Sequence, residues 1–387
     1  MRPHIPLSAP DITEAEIAAV TAVLRTNRLS LGPELEAFEQ EMAAYHSVPH
    51  AVAVSSGTAG LHLTLLTLEI GEGSEVIVPS FAFVAVANAV AQVRAVPVFV
   101  EIDPVTLNLD PRAVESAITP RTRAILVVHT FGVPAEMDRL RAIADRHRLA
   151  LIEDACEAIG AEFASRRVGG FGDLAVLGFY PNKQITTGEG GAVLARDPAH
   201  AARLRALRNQ GREAGAGWLD HAEIGYNYRL SELACALGRV QLQRIEVILA
   251  QRRAAAERYH ALLGDIPEVE LPPLTLPQRI LSWFVYVVRL PASLTSGEGE
   301  LALQAGVQQA MAERGIGTGR YFAPIHLQPA WRTHPSATAA DLPVTESIAR
   351  RTLALPFFNR ITSDQQEAVA DALERTLSCK RLSNSEC

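Results

Sequence analysis

Between about residues 50 and 200, short apolar runs recur along the chain, with turn-rich or helical stretches separating them. They occupy residues 51–54, 75–78, 96–100, 124–128, 149–152, 174–177 and 191–194. Most are continuously apolar and rich in β-branched residues, as in strands covered on both faces. Residues 135–147 have a helical pattern. Strands alternating with helices predict an α/β fold with a mostly parallel sheet, its ligand site beyond the carboxyl ends of the strands. Residues 229–262 read as one long helix rich in Ala, Leu and Arg, or as two in sequence. Asp11-Ile12-Thr13-Glu14 marks a helix start capped by Thr or Asp. After Gly264 a Pro-rich stretch leads into a β-like run over residues 283–288, then helix, loop and helix. The expected organisation is a large domain over residues 1–250, including the N-terminal segment, and a smaller C-terminal α+β domain over residues 251–387.

Bulk properties narrow the function classes. A chain of 387 residues exceeds one small core. Its apolar runs are interrupted before the roughly 20 residues that a membrane span requires. Met1 to Pro6 contain no apolar signal-peptide core, so a cytoplasmic location with no membrane partner is expected. The net charge is −7 and no basic block stands out, which argues against a nucleic-acid partner. Cys156, Cys235, Cys379 and Cys387 have no CxxC spacing, so neither a metal site nor a disulfide framework is expected.

Three stretches carry candidate chemistry. Ser55-Ser56-Gly57-Thr58-Ala59-Gly60 follows a strand and precedes an apolar helix, where small residues and unpaired amides suit a phosphate. An ordinary capped turn has the same composition. Glu153-Asp154-Ala155-Cys156-Glu157 puts two carboxylates at the end of an apolar strand, where a charge needs compensation. A pyridinium nitrogen, a helix N-terminus or a metal would each provide it, and a general base is a further role for such an acid. Lys183 sits in Asn182-Lys183-Gln184-Ile185-Thr186-Thr187-Gly188-Glu189-Gly190-Gly191, a polar, glycine-rich loop between two buried strands. An amine in a closed, partly apolar site becomes nucleophilic toward a carbonyl, although most loop lysines are only solvated. The glycines of that loop lack dinucleotide-binding spacing and precede a strand instead of following one.

Taken together and in order, these stretches resemble the DegT/DnrJ/EryC1/StrS family of sugar aminotransferases. The match extends from Gly32-Pro33 and Phe38-Glu39 through Pro79-Ser80-Phe81-Ala82-Phe83 and Gly225-Tyr226-Asn227-Tyr228-Arg229 to Leu355-Pro356-Phe357. The resemblance implies the pyridoxal-phosphate-dependent transferase fold of type I, with a mostly parallel mixed sheet sandwiched by helices. It implies pyridoxal 5'-phosphate held as a Schiff base on Lys183, the catalytic residue, with Asp154 on the ring nitrogen and Phe83 against the ring face. Gly57 and Thr58 would bind the phosphate. Asn227 would reach the phosphate of a neighbouring subunit in a homodimer with shared sites. Arg229, Tyr321 and His326 are candidate substrate contacts, and Trp331 lies in the same matching segment. The implied partners are a nucleoside-diphosphate keto sugar and L-glutamate, or glutamine, as amino donor.

Two positions depart from the family pattern. Gly178 stands where the family commonly has a phosphate-binding Ser, and Glu157 stands where it often has Gln or His near the cofactor ring. Three other readings compete. A dehydratase of the same family would have His in place of Lys183. A non-catalytic regulatory protein would have no need of both Lys183 and Asp154. A nicotinamide oxidoreductase would carry a glycine fingerprint that is absent.

Overall fold

A computed structural model describes residues 4–291 and 300–384 apart from positions 216 and 218. The chain opens with α1 (Glu14–Leu24) and α2 (Pro33–Tyr45), followed by β1 (His50–Val54), α3 (Gly57–Thr67), β2 (Glu75–Pro79), α4 (Ala85–Gln92) and β3 (Val96–Val100). Next come α5 (Pro111–Ser116), β4 (Thr122–Val128), α6 (Met137–His147), β5 (Ala150–Asp154), β6 (Glu162–Phe163), β7 (Arg166–Arg167), β8 (Leu174–Gly178) and β9 (Gly191–Ala195). The helices α7 (Pro198–Arg208), α8 (Glu232–Gln243) and α9 (Ile245–Leu263) lead to β10 (Arg279–Ile280) and β11 (Tyr286–Arg289). The chain continues through α10 (Glu300–Glu313), α11 (Pro335–Thr338), α12 (Pro343–Arg351), β12 (Thr352–Leu355) and α13 (Ser363–Asn384).

All seven apolar runs between residues 50 and 200 become strands of one sheet, in the order β1-β9-β8-β5-β4-β2-β3. Neighbours from β8 to β3 pair in parallel, and β9 runs antiparallel to both β8 and β1. Six strands therefore share one direction and β9 alone is reversed. Alternation along each strand separates two apolar layers. Val52, Val54, Val176 and Val193 pack toward α3, α4 and α7, whereas Ala51, Ala53, Ala175 and Leu177 pack toward α2 and α8. Apolar residues on both faces explain the unbroken hydrophobic runs.

The helical stretch after residue 229 is two helices, divided at Arg244, which ends α8 with φ −95° and ψ 2°. α9 begins in the layer beneath the sheet, through Ile245 and Ile248. It then contributes Ala255, Ala256, Tyr259 and Leu263 to a second core with β11, β12, α10 and α13. At the chain's start Thr13 forms the expected cap, closed as a capping box with Glu16. The β-like run over 283–288 gives a shorter strand than its composition suggests. Trp283 takes φ +53° and the Phe284 amide donates to the Phe131 carbonyl, so regular pairing starts only at Tyr286. Among the described residues, no helix is long and apolar enough to cross a membrane.

Candidate active site

The segments leaving the carboxyl ends of β1, β5 and β8 meet around a cavity of about 440 Å³. At one wall, Ser56 caps α3 by accepting the Ala59 amide at 3.0 Å. The amides of Gly57 and Thr58 have no acceptor among the described residues, as expected for a first helical turn. With the end of the helix dipole, they form an anion-binding corner. Cys156 closes this corner from beneath. A methyl group on Gly57 would come within 2.8 Å of its Sγ, and one on Gly178 within 3.1 Å. The thiol thus fills the space beside position 178, and burial followed by the Asp154 carboxylate raises its pKa well above the ordinary value.

At the end of β5, the period-two geometry sends the two adjacent carboxylates to opposite faces. Asp154 lines the cavity, buried, with one oxygen accepting the Cys156 amide at 3.0 Å. No lysine, arginine or histidine pairs with it among the described residues. Glu153 turns away. It accepts the amides of Gly169, Phe171 and Gly172 at 2.7, 2.7 and 2.5 Å, and contacts His129 Nε2 at 3.0 Å. His129 Nδ1 accepts the Ala135 amide, so Nε2 carries the hydrogen donated to Glu153. Burial alone would raise the Glu153 pKa, but His129 and the amides outweigh it and hold it below the ordinary value.

Lys183 lies in the connection between the antiparallel strands β8 and β9. Phe179 anchors both ends, donating to Gly190 at 2.9 Å and accepting from the Thr187 amide at 3.0 Å. The Lys183 amine lies 3.4 Å from Glu157 Oε1 and 4.0 Å from the centroid of the Phe284 ring. The second oxygen of Glu157 accepts the Phe131 amide at 3.0 Å. Burial pushes the Glu157 carboxyl above its ordinary pKa even though the Lys183 ammonium pulls it down. At the mouth, Phe83 and Tyr180 are 62% and 53% exposed, so each offers an aromatic face to a bound ring. Asn182 Oδ1 lies buried without a hydrogen-bond partner, and the residue forms part of the same wall.

Gly57, Thr58, Phe83, Asp154, Glu157, Lys183 and Tyr321 all line this one cavity. Asn227, Arg229 and His326 are not in its wall within a single chain. Asn227 bridges to Asn209 through the backbone, and Arg229 donates to the Asn209 side chain at 3.0 Å. His326 is buried between Ser80 Oγ at 2.6 Å and Glu346 at 3.3 Å. That line of groups resembles a nucleophilic triad, but Ser80 has no exposed surface for a substrate to reach. Trp331 donates to Asn88 at 3.1 Å inside the main core. Sequence reasoning passed over Cys156, Asn182 and Phe284. The first two are neighbours of singled-out residues, whereas Phe284 is brought in by a distant segment.

The wall fits pyridoxal phosphate. Two free amides and a helix end suit its phosphate, an unpaired buried carboxylate suits its ring nitrogen, and a lysine amine is available to its aldehyde.

The family model for the DegT/DnrJ/EryC1/StrS aminotransferase family matches residues 10–374. Among solved structures, the chain is 39% identical to DesV of S. venezuelae, captured in complex with a ketimine intermediate, over 96% of this chain and 98% of that one, with a TM-score of 0.86. It is 31% identical to the aminotransferase TlmJ from Streptoalloteichus hindustanus over 97% and 99%, with a TM-score of 0.89. PseC of Helicobacter pylori, an aminotransferase of pseudoaminic acid biosynthesis, is 26% identical over 97% and 100%, with a TM-score of 0.90.

Proposed function

Because the chain belongs to the DegT/DnrJ/EryC1/StrS aminotransferase family, and so is a pyridoxal-phosphate-dependent sugar aminotransferase, we propose that it aminates a nucleoside-diphosphate-linked keto deoxysugar with L-glutamate, or glutamine, as donor. The observation that carries the chemistry is the Lys183 amine and the unpaired Asp154 carboxylate in the wall of one cavity, beside the open amides of Gly57 and Thr58. When bound, pyridoxal phosphate supplies an electron sink for the carbon that loses its proton.

The protein's residues divide the remaining work. Asp154 holds a proton on the ring nitrogen, and Gly57 and Thr58 hold the phosphate. Phe83 covers one face of the ring. Lys183 Nζ would hold the cofactor and, as a free amine, would carry a proton to and from the substrate carbon. Glu157 can donate to the ring oxygen only in its protonated form. Asn182 Oδ1 offers an acceptor to a sugar hydroxyl. We assign Asn227 to the phosphate of a second copy in a homodimer. That assignment is supported by its position outside the cavity of its own chain and by Leu219 and Ile224, apolar side chains 80% and 90% exposed in the loop after α7.

The sugar acceptor is supported by the likeness to PseC, an aminotransferase of pseudoaminic acid biosynthesis, and the nucleotide by the resemblance in sequence. The test is transfer of ¹⁵N from labelled glutamate to a panel of 3-keto and 4-keto sugars, offered free and linked to nucleoside diphosphates. Label appearing only on nucleotide-linked products supports the reading. Equal labelling of the free sugars removes the nucleotide from it.

A further inference from the structure

Arg252 projects from α9 into the interior, 2% exposed, and does not line the cavity. A buried guanidinium normally needs a carboxylate, yet none pairs with Arg252 among the described residues. Its terminal nitrogens donate to three backbone carbonyls instead, while Nε has no hydrogen-bond partner among the described residues. Nη2 donates to Lys183 at 3.2 Å, and Nη1 donates to Trp283 at 3.1 Å and Phe284 at 3.2 Å. Burial lowers its pKa to about 10, against a smaller upward pull from Asp11, so it remains a cation near neutral pH.

These carbonyls belong to the two segments that meet at the lysine amine. One is the backbone of Lys183 itself; the other carries the Phe284 ring, 4.0 Å from Nζ. The rigid fork of a guanidinium can hold both segments at a fixed separation. We infer that Arg252 is a positioning residue for Lys183, setting where its amine stands relative to the cavity. This rests on the reading of Lys183 as the cofactor-binding amine. The loop has a second anchor in Gln184, which donates to the Glu157 carbonyl at 2.6 Å and to Ser282 Oγ at 2.9 Å. Losing the fork should therefore misplace the amine before it unravels the loop.

The experiment follows borohydride trapping of pyridoxal phosphate on the Lys183 peptide against time, by mass spectrometry, with folding checked by circular dichroism. Arg252→Lys keeps the charge but not the fork, and should slow trapping by about tenfold or more, since a misplacement near 1 Å costs on the order of 100-fold in reactions of this kind. Arg208→Lys, which disturbs the buried Arg208–Glu39 pair between α7 and α2, should melt at a lower temperature yet trap at the wild-type rate. A folded Arg252→Lys protein that traps as fast as wild type overturns the proposal. If Arg252→Lys does not fold, Arg252→Gln answers the same question, because its single amide cannot hold both segments as the fork does. An unslowed rate there also overturns the proposal. Wild-type protein that is never trapped at Lys183 overturns the reading of the lysine itself, and the role of Arg252 with it.

Discussion

Glu157 Oε1 stands 3.4 Å from Lys183 Nζ, while its other oxygen is fixed by the Phe131 amide. The carboxylate is drawn to the amine, yet burial dominates and leaves its pKa above the ordinary 4.5. Folding thus favours the protonated acid. That contribution is complete below the unfolded pKa and is lost as pH rises through the raised folded value. In cofactor-free protein, the wild-type melting temperature should therefore fall relative to that of Glu157→Gln as pH climbs above about 5. Thermal scans across pH check this, and parallel profiles would remove Glu157 as the source.

Asp154 makes one contact that an amide can keep, the bond from the Cys156 N–H. Asp154→Asn should therefore melt close to wild type. It cannot hold a positive ring nitrogen, so turnover should fall on the order of 100-fold or more. Steady-state rates measured beside thermal scans separate the two effects. A rate within tenfold of wild type would reassign Asp154.

Gly178 and Cys156 form a packing pair. A Cβ at position 178 would stand 3.1 Å from both Cβ and Sγ of the cysteine. Gly178→Ser should cost about 1–3 kcal/mol through overpacking. Adding Cys156→Ala should recover part of that loss, because it removes the Sγ contact and leaves the Cβ contact in place. Denaturant unfolding of both single variants and the double variant gives the coupling, and simple additivity would contradict the pairing.

Glu153 should affect stability and leave the chemistry alone. Glu153→Gln keeps one acceptor oxygen but turns an NH2 group toward the two donors that meet the other, either the Phe171 and Gly172 amides or the Gly169 amide and His129. The expected loss is about 1.5–3 kcal/mol, the range for hydrogen bonds to a charged group. Because its pKa is depressed, the wild-type contribution is present above the ordinary carboxylate value and fades as pH falls through the folded one. The deficit of the variant should accordingly shrink in acid. At temperatures where the variant stays folded, trapping at Lys183 should match wild type, which sets Glu153 apart from its neighbour Asp154.

Much of the sheet was legible because its strands are buried on both faces, which leaves an unbroken apolar signature in each. The reversal of β9 was not, since direction leaves no trace in composition. The acid and the lysine could be read from their places at strand ends. That Asp154 and not Glu153 faces the cavity follows from strand alternation only once the register is fixed. Phe284 and Arg252 were invisible for a different reason. Their roles depend on contacts across about 100 and 69 positions of sequence, with Phe284 resting on the Lys183 amine and Arg252 on the Lys183 carbonyl.

The cavity wall is gathered from segments scattered between Ser56 and Phe322. A chain ending before Phe284 would still contain the lysine and the acid but would lack the surface that closes over them. Loading with the vitamin would consequently report completeness. Free cofactor at 100 times its dissociation constant protects a finished molecule by about 2.7 kcal/mol and gives a fragment nothing comparable.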